Sequence, residues 1–227
     1  MARPAETKQK TRSYNSPRRK EQAKATRKEI LDAAERLFLK DGYVATSMAA
    51  IAKEAGVALK TVYLAFETKS GLLRALWHRN LRGGREEVPV ADQEWFREVI
   101  EEPDPAKALR LNARNSRRVK GRIAPLGEVI RSAAAADPEI GALLDRIWSQ
   151  FYDNQRDVVK ALHKRGALKR DLGVDRGADI LWTLNHPTVY VLLLAGRGWS
   201  EDEYERWLGD ITCSELLESG RRAKRAR

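Results

Sequence analysis

Apolar residues recur at three- and four-residue spacing from Lys20 to Lys40, where Ala23, Ile30, Ala33, Ala34, Leu37 and Phe38 form one stripe, and this predicts an amphipathic helix. Asp41-Gly42 predicts its end, because glycine takes the left-handed turn at a helix C-terminus without a Cβ penalty. Ser16-Pro17 predicts its start, as N-cap and first-turn residues. Arg18, Arg19 and Lys20 then fall in the first turn, where the macrodipole disfavours positive charge unless an anion comes to meet it. "TSMAAIAKEAG" predicts a second short helix, with Thr46 or Ser47 as its hydroxyl cap and Met48, Ile51, Ala52 and Ala55 facing inward. Gly56 turns the chain into a third helix over about Leu59 to Phe66. Ala52, Gly56 and Val62 have the spacing of a helix-turn-helix: a small residue where two helices touch, a glycine with positive φ in the turn, and a branched anchor on the second helix. The outer side of that helix is left free to enter a major groove.

Thr68 caps a predicted fourth helix carrying Leu72, Leu73, Leu76 and Trp77, and Gly83-Gly84 breaks it, placing a boundary between about 82 and 90. Beyond it, breaks at Pro103, Pro105, Pro125, Asp137-Pro138, Gly166, Gly173 and Gly196 to Gly198 divide the chain into helices at roughly 91–101, 105–122, 126–136, 139–165, 175–195 and 200–218. No run alternates with period two, so no strand is expected and the fold class is all-α.

Charge is unevenly placed. Of a formal net +11, residues 1–28 carry +8 and "RRAKRAR" at the C-terminus +5, so residues 29–220 are at −2. The basic segments point to an anionic partner, although a basic tail also serves simply as a solvated end. One cysteine, Cys213, excludes an intramolecular disulfide, and it reads as a small buried hydrophobe. The N-terminus lacks the apolar segment of a signal peptide. The longest apolar run, Val189 to Gly196, is far short of a membrane span, so the expected setting is the cytoplasm, with no membrane partner. His78, His163 and His186 lack metal-type spacing, and no H-E-x-x-H, G-x-S-x-G or P-loop is present, so neither a cofactor, a metal nor a catalytic residue is expected.

The run "LFLKDGYVATSMAAIAKEAGV" followed by "KTVYLAFETKSGLLRAL" resembles the DNA-binding domain of the TetR family of transcriptional regulators over about residues 22–77. Gly42-Tyr43, Thr46, Ile51-Ala52, Ala55-Gly56-Val57, Thr61, Tyr63, Phe66 and Lys69 carry the likeness. The resemblance implies a basic, largely disordered arm at 1–21, a three-helix DNA-binding domain at 22–82, a helical ligand-binding and dimerisation domain at 90–218 and a basic tail at 219–227. It further implies a homodimeric repressor on a palindromic operator in double-stranded DNA, released by a small-molecule effector. An architectural DNA-binding protein or an activator without a ligand switch remains the alternative.

By position, the resemblance assigns phosphate contacts to Thr46, Ser47, Thr61, Tyr63 and Lys69, and base contacts to Leu59 and Lys60, with Ala49 assisting. Arg18, Arg19, Lys20 and Arg27 would follow the backbone or reach the minor groove. Ala58 stands where many members have a capping Ser. In the second domain, Asn112 and Ser116 interrupt one apolar stripe, and Asn185 and His186 interrupt another before Pro187, where a kink is expected. With Trp148, Tyr152, Trp182 and Tyr190 as walls, these are the candidate ligand residues. Tyr204, Trp207, Leu208, Ile211 and Leu216 share one face of the last helix and are the candidate dimer interface.

Overall fold

The computed structural model describes residues 17–83 and 90–218. The expectations for residues 1–16 and for the basic tail lie outside those residues. Ten α-helices are described: α1 Pro17–Ala45, α2 Met48–Glu54, α3 Leu59–Phe66, α4 Lys69–Leu81, α5 Glu94–Glu101, α6 Pro105–Ala133, α7 Pro138–Lys164, α8 Val174–Leu184, α9 Pro187–Arg197 and α10 Glu201–Leu216. A single 3-10 turn at Val90–Asp92 precedes α5. Apart from one isolated antiparallel bridge, Leu168 to Leu217, the described residues hold no β-structure, so the all-α expectation is met.

Residues 17–21, assigned above to the arm, are the first turns of α1. Gly42, at φ 78 and ψ 168, breaks the helical path of α1 where the sequence placed a stop. Two boundaries differ from expectation. Pro125 does not divide the chain but lies inside a 29-residue α6. The ring removes one backbone donor at a cost of about 3 kcal/mol. Burial of Ile123, Ala124, Leu126, Val129 and Ile130 around it outweighs that cost. Conversely, Pro187 does not kink a single helix: α8 ends at Leu184, His186 becomes the N-cap of α9, and Pro187 takes the first helical position, where a missing N–H is harmless.

α6 is the hub, packed against α1, α4, α5, α7, α9 and α10. Its C-terminal half completes a core with Ile30, Phe38, Ile51, Leu72 and Leu76 of the first four helices and with Ile140 and Leu143 of α7. A second core gathers Phe96, Val99, Leu109, Val158, Val159, Leu181 and Leu216, and a third gathers Ala113, Ala124, Tyr190, Tyr204 and Leu208. Gly177 on α8 permits the close contact with α7, since a Cβ there would stand 2.8 Å from Val159 Cγ1.

Candidate nucleic-acid interface and polar chamber

The head is built by short-range rules. Ser47 caps α2, its Oγ accepting from Ala50 N at 3.1 Å. Gly56, at φ 67, turns the chain, and Val57 N bonds Ala52 O at 3.0 Å to close the corner. α3 is held from inside by Val62 and Phe66, both buried. Its outer face carries Ala58, Leu59, Lys60, Tyr63 and Leu64, all exposed, with Leu64 at 77%. Ser47 and Ala49 are exposed on α2, Thr61 is half-buried, and Arg18, Arg19 and Lys20 are exposed on the first turn of α1. Ala58, the N-cap of α3, makes no side-chain capping bond.

Three assigned DNA residues have internal engagements instead. Thr46 is buried, and its hydroxyl donates to Gly42 O at 2.7 Å and toward Leu37 O at 3.3 Å, closing the end of α1. It is therefore not a solvent-facing hydroxyl, and the cap of α2 falls to Ser47 alone. Lys69 Nζ donates to Tyr43 O at 2.8 Å and Thr46 O at 3.0 Å, and lies 4.2 Å from the Tyr43 ring centroid. Burial lowers its pKa. Arg27 Nη1 donates to Ala65 O at 2.7 Å while its guanidinium stacks 4.1 Å over Phe66, tying α1 to the end of α3. The carbonyls at these chain ends need donors, and the three side chains supply them.

In the second domain the polar interruptions meet. Asn185, 1% exposed, donates from Nδ2 to Ser116 Oγ and to Gln155 Oε1, both at 2.9 Å. Its Oδ1 accepts from Lys120 Nζ, which also donates to the Tyr204 hydroxyl at 2.6 Å. Lys120 is 2% exposed, and burial drives its pKa well below the usual lysine range. Asn112, Ser116, Lys120 and Gln155 line a cavity of about 70 Å³ together with the apolar Trp95, Phe96, Phe151 and Leu81. Trp148 faces a neighbouring cavity of similar size.

His186 is wrapped by rings, its centroid 4.6 Å from Trp148, 4.8 Å from Trp182 and 6.3 Å from Phe151. Its Nδ1 accepts from Thr188 N at 3.2 Å, and burial, with the Lys120 amine second, lowers its pKa. Trp182 Nε1 is buried without an acceptor among the described residues. Two candidate ligand residues point elsewhere. Tyr152 reaches Asp179 Oδ1 at 3.3 Å across the α7–α8 contact. Tyr190 packs edge-on against Tyr204 at 5.0 Å and donates to Glu201 Oε1 at 3.2 Å; burial pushes its phenol up to about 12. Sequence reasoning missed Lys120, Gln155 and the Tyr204 hydroxyl. The available signal was that Asn112, Ser116 and Lys120 recur every fourth position on α6.

The candidate dimer face also needs correction. Tyr204, Leu208 and Leu216 are buried within the protomer, where α10 packs on α6, while Trp207 and Ile211 remain half-buried. The exposed stripe lies on α9 instead, through Thr188, Leu192 and Ala195, with Leu192 at 60%. No described helix is long and apolar enough to cross a membrane.

Comparison with known proteins places this geometry. Residues 30–76 match the model for bacterial regulatory proteins of the tetR family. The chain is similar to ArpR of Pseudomonas putida, named a probable HTH-type transcriptional regulator, at 28% identity over 86% of this chain and 90% of that one. It is also similar to the HTH-type transcriptional regulator TtgR of the same species, at 29% identity over 71% of this chain and 77% of that one. Among solved structures, a SmeT–triclosan complex shares the fold with a TM-score of 0.69 at 19% identity, covering 86% of this chain and 93% of that one.

Proposed function

From the premise that the chain belongs to the TetR family of transcriptional regulators, we propose that it is a homodimeric repressor of a palindromic operator, released by a small molecule held in the helical domain. The observation that carries the DNA side is the two-faced α3. Val62 and Phe66 lock its inner face, while Leu59, Lys60, Tyr63 and Leu64 stand outward together. Lys60 donates to guanine O6 and N7, and Leu59 and Leu64 meet thymine methyls, a pairing worth about 1 to 3 kcal/mol of discrimination per good contact. Ser47, Thr61, Tyr63 and the first turn of α1 hold phosphates and set the register. The copies associate through the outer stripe of α9, Thr188, Leu192 and Ala195, which the protomer leaves exposed.

The chamber supports the release step. Leu81, the last residue of α4, forms part of its wall, and α4 is continuous with the head. An effector that enlarges the chamber displaces Leu81 and alters the spacing of two reading helices that must stand about one DNA turn apart. The relatives named above are regulators, which fits a chain that binds rather than catalyses.

The test is a selection of random duplexes on the purified protein at two salt concentrations, repeated with Lys60→Ala. An enriched palindrome, relaxed at one base position per half-site by the substitution, is the expected result. Salt-sensitive binding without enrichment replaces the operator reading with the architectural one.

A further inference from the structure

Among the described residues, Lys120 is a buried charge-bearing group that the fold leaves without a counter-ion. No carboxylate among the described residues pairs with it; its amine meets the neutral Asn185 amide and the Tyr204 hydroxyl and lies 5.1 Å from the Tyr204 ring centroid. Burial pushes the Tyr204 phenol upward, so that ring supplies no counter-charge. Arg117, nearly one turn earlier on α6, has counter-ions in Asp202 and in Glu205 at 2.9 Å. A lysine without an anion is costly to bury as an ammonium, and truncating the side chain to an apolar one would remove that cost. Its position on the wall of a cavity that aromatic residues also line identifies a use for it.

We propose that the effector is a lipophilic carboxylic acid whose acid group docks on Lys120 Nζ, with its apolar body against Trp95, Phe96 and Phe151. This inference rests on the reading of the helical domain as an effector sensor. Burial in the chamber favours the neutral form of the amine, in which two N–H groups are directed at Asn185 Oδ1 and Tyr204 Oη and the lone pair is left to accept. The acid enters uncharged and donates into that lone pair. The O–H bond breaks, a third N–H bond forms, and the product is an ammonium–carboxylate pair with no change in total charge. The ligand thus brings the anion that the site lacks, and the new N–H donates a charge-assisted hydrogen bond to its carboxylate. Discrimination against an uncharged isostere arises because an amide has no proton acidic enough to transfer.

Size is consistent with a ring-bearing acid. A dry apolar cavity of about 150 Å³ admits benzene. The chamber and its neighbour are about 70 Å³ each, and they share Leu81, Val90, Phe151 and Asn154 as walls. The two together approach the scale of a one-ring acid when that shared wall gives way, and a larger acid must displace it further; Leu81, part of that wall, is the residue that ends α4.

The experiment uses the full chain and two matched pairs of probes: benzoic acid with benzamide, and 2-naphthoic acid with 2-naphthamide. Binding is followed by calorimetry and by quenching of tryptophan fluorescence, and operator release by anisotropy of a labelled duplex. At least one acid is expected to bind tenfold or more tightly than its amide, and to release the duplex. Lys120→Met, and Lys120→Gln, which keeps a donor for Asn185, should each abolish the preference. Equal affinity for acid and amide in the unaltered chain overturns the proposal without reliance on any variant. So does binding of none of the four, or a preference that survives both substitutions. An amide that binds equally and releases the duplex overturns the acid class but leaves the effector reading standing. An acid that binds with the expected preference and leaves the duplex bound upholds the chamber chemistry and removes the effector role.

Discussion

The Tyr43 hydroxyl donates to the Asp137 carboxylate at 2.6 Å, joining the end of α1 to the capping residue of α7 across 94 positions of chain. Ser70, in the first turn of α4, bonds Glu139 beside it. The head is thus fastened to the start of a long helix of the second domain by polar contacts as well as by shared core.

Tyr43→Phe is therefore expected to cost about 1 kcal/mol at neutral pH, a modest value because the pair is partly screened by solvent. The Tyr43 hydrogen bond is the largest cause holding the Asp137 carboxyl below its usual range. A depressed carboxylate pKa contributes stability that is fully present above the unfolded value, about 3.9, and is lost as pH falls through the folded one. The gap in urea midpoint between the two chains should accordingly narrow on acidification below about pH 4. Coincident midpoints at pH 7 would show that the contact holds nothing together.

Thr46→Val and Lys69→Met should each destabilise the protein by about 1 to 3 kcal/mol, since buried carbonyls are deprived of their donors. Neither should change the slope of log operator affinity against log salt, to which each engaged phosphate contributes about −0.9. Titrations at several salt concentrations decide this. A shallower slope for Lys69→Met would return that residue to the phosphate set.

Ala58→Ser should stabilise the head by about 0.5 to 1 kcal/mol, because α3 starts without a side-chain cap and the Ala58 backbone is already extended, at φ −68 and ψ 142. The readout is the thermal midpoint, expected to rise by a few degrees. An unchanged midpoint would mean that water already satisfies those amides.

Leu192→Glu places a charge in the proposed contact between copies and should give a monomer in sedimentation velocity with the helical content retained. Leu208→Glu, by contrast, is expected to unfold the chain, because Leu208 is 1% exposed within the protomer. A folded dimer of Leu192→Glu would move the interface elsewhere.

The head was legible in the sequence because its determinants are local: Gly56 for the corner, Ala52 and Val62 for the helix contact, and Ser47 and Thr68 for the caps. What failed were inferences that needed a distant partner. The apolar face of α10 looked surplus because α6, which covers it, lies far away in sequence. Pro125 looked like a break because the cores on either side of α6 were not visible. The tyrosines assigned to the chamber are engaged by Asp179 and Glu201, acidic residues on other helices. Lys120 escaped notice for the reason that makes it informative. A lysine on a helix face ordinarily extends to solvent, and only the fold shows its amine enclosed by Asn185 and Tyr204.

One uninterrupted α6 serves the core of the head and those of the body alike, with Ile123, Leu126 and Ile130 set among Ile30, Phe38 and Leu72. Parts that share a core in this way are expected to melt together. On that expectation, disturbance in the body is passed to the head as a displacement and not absorbed by loosening it.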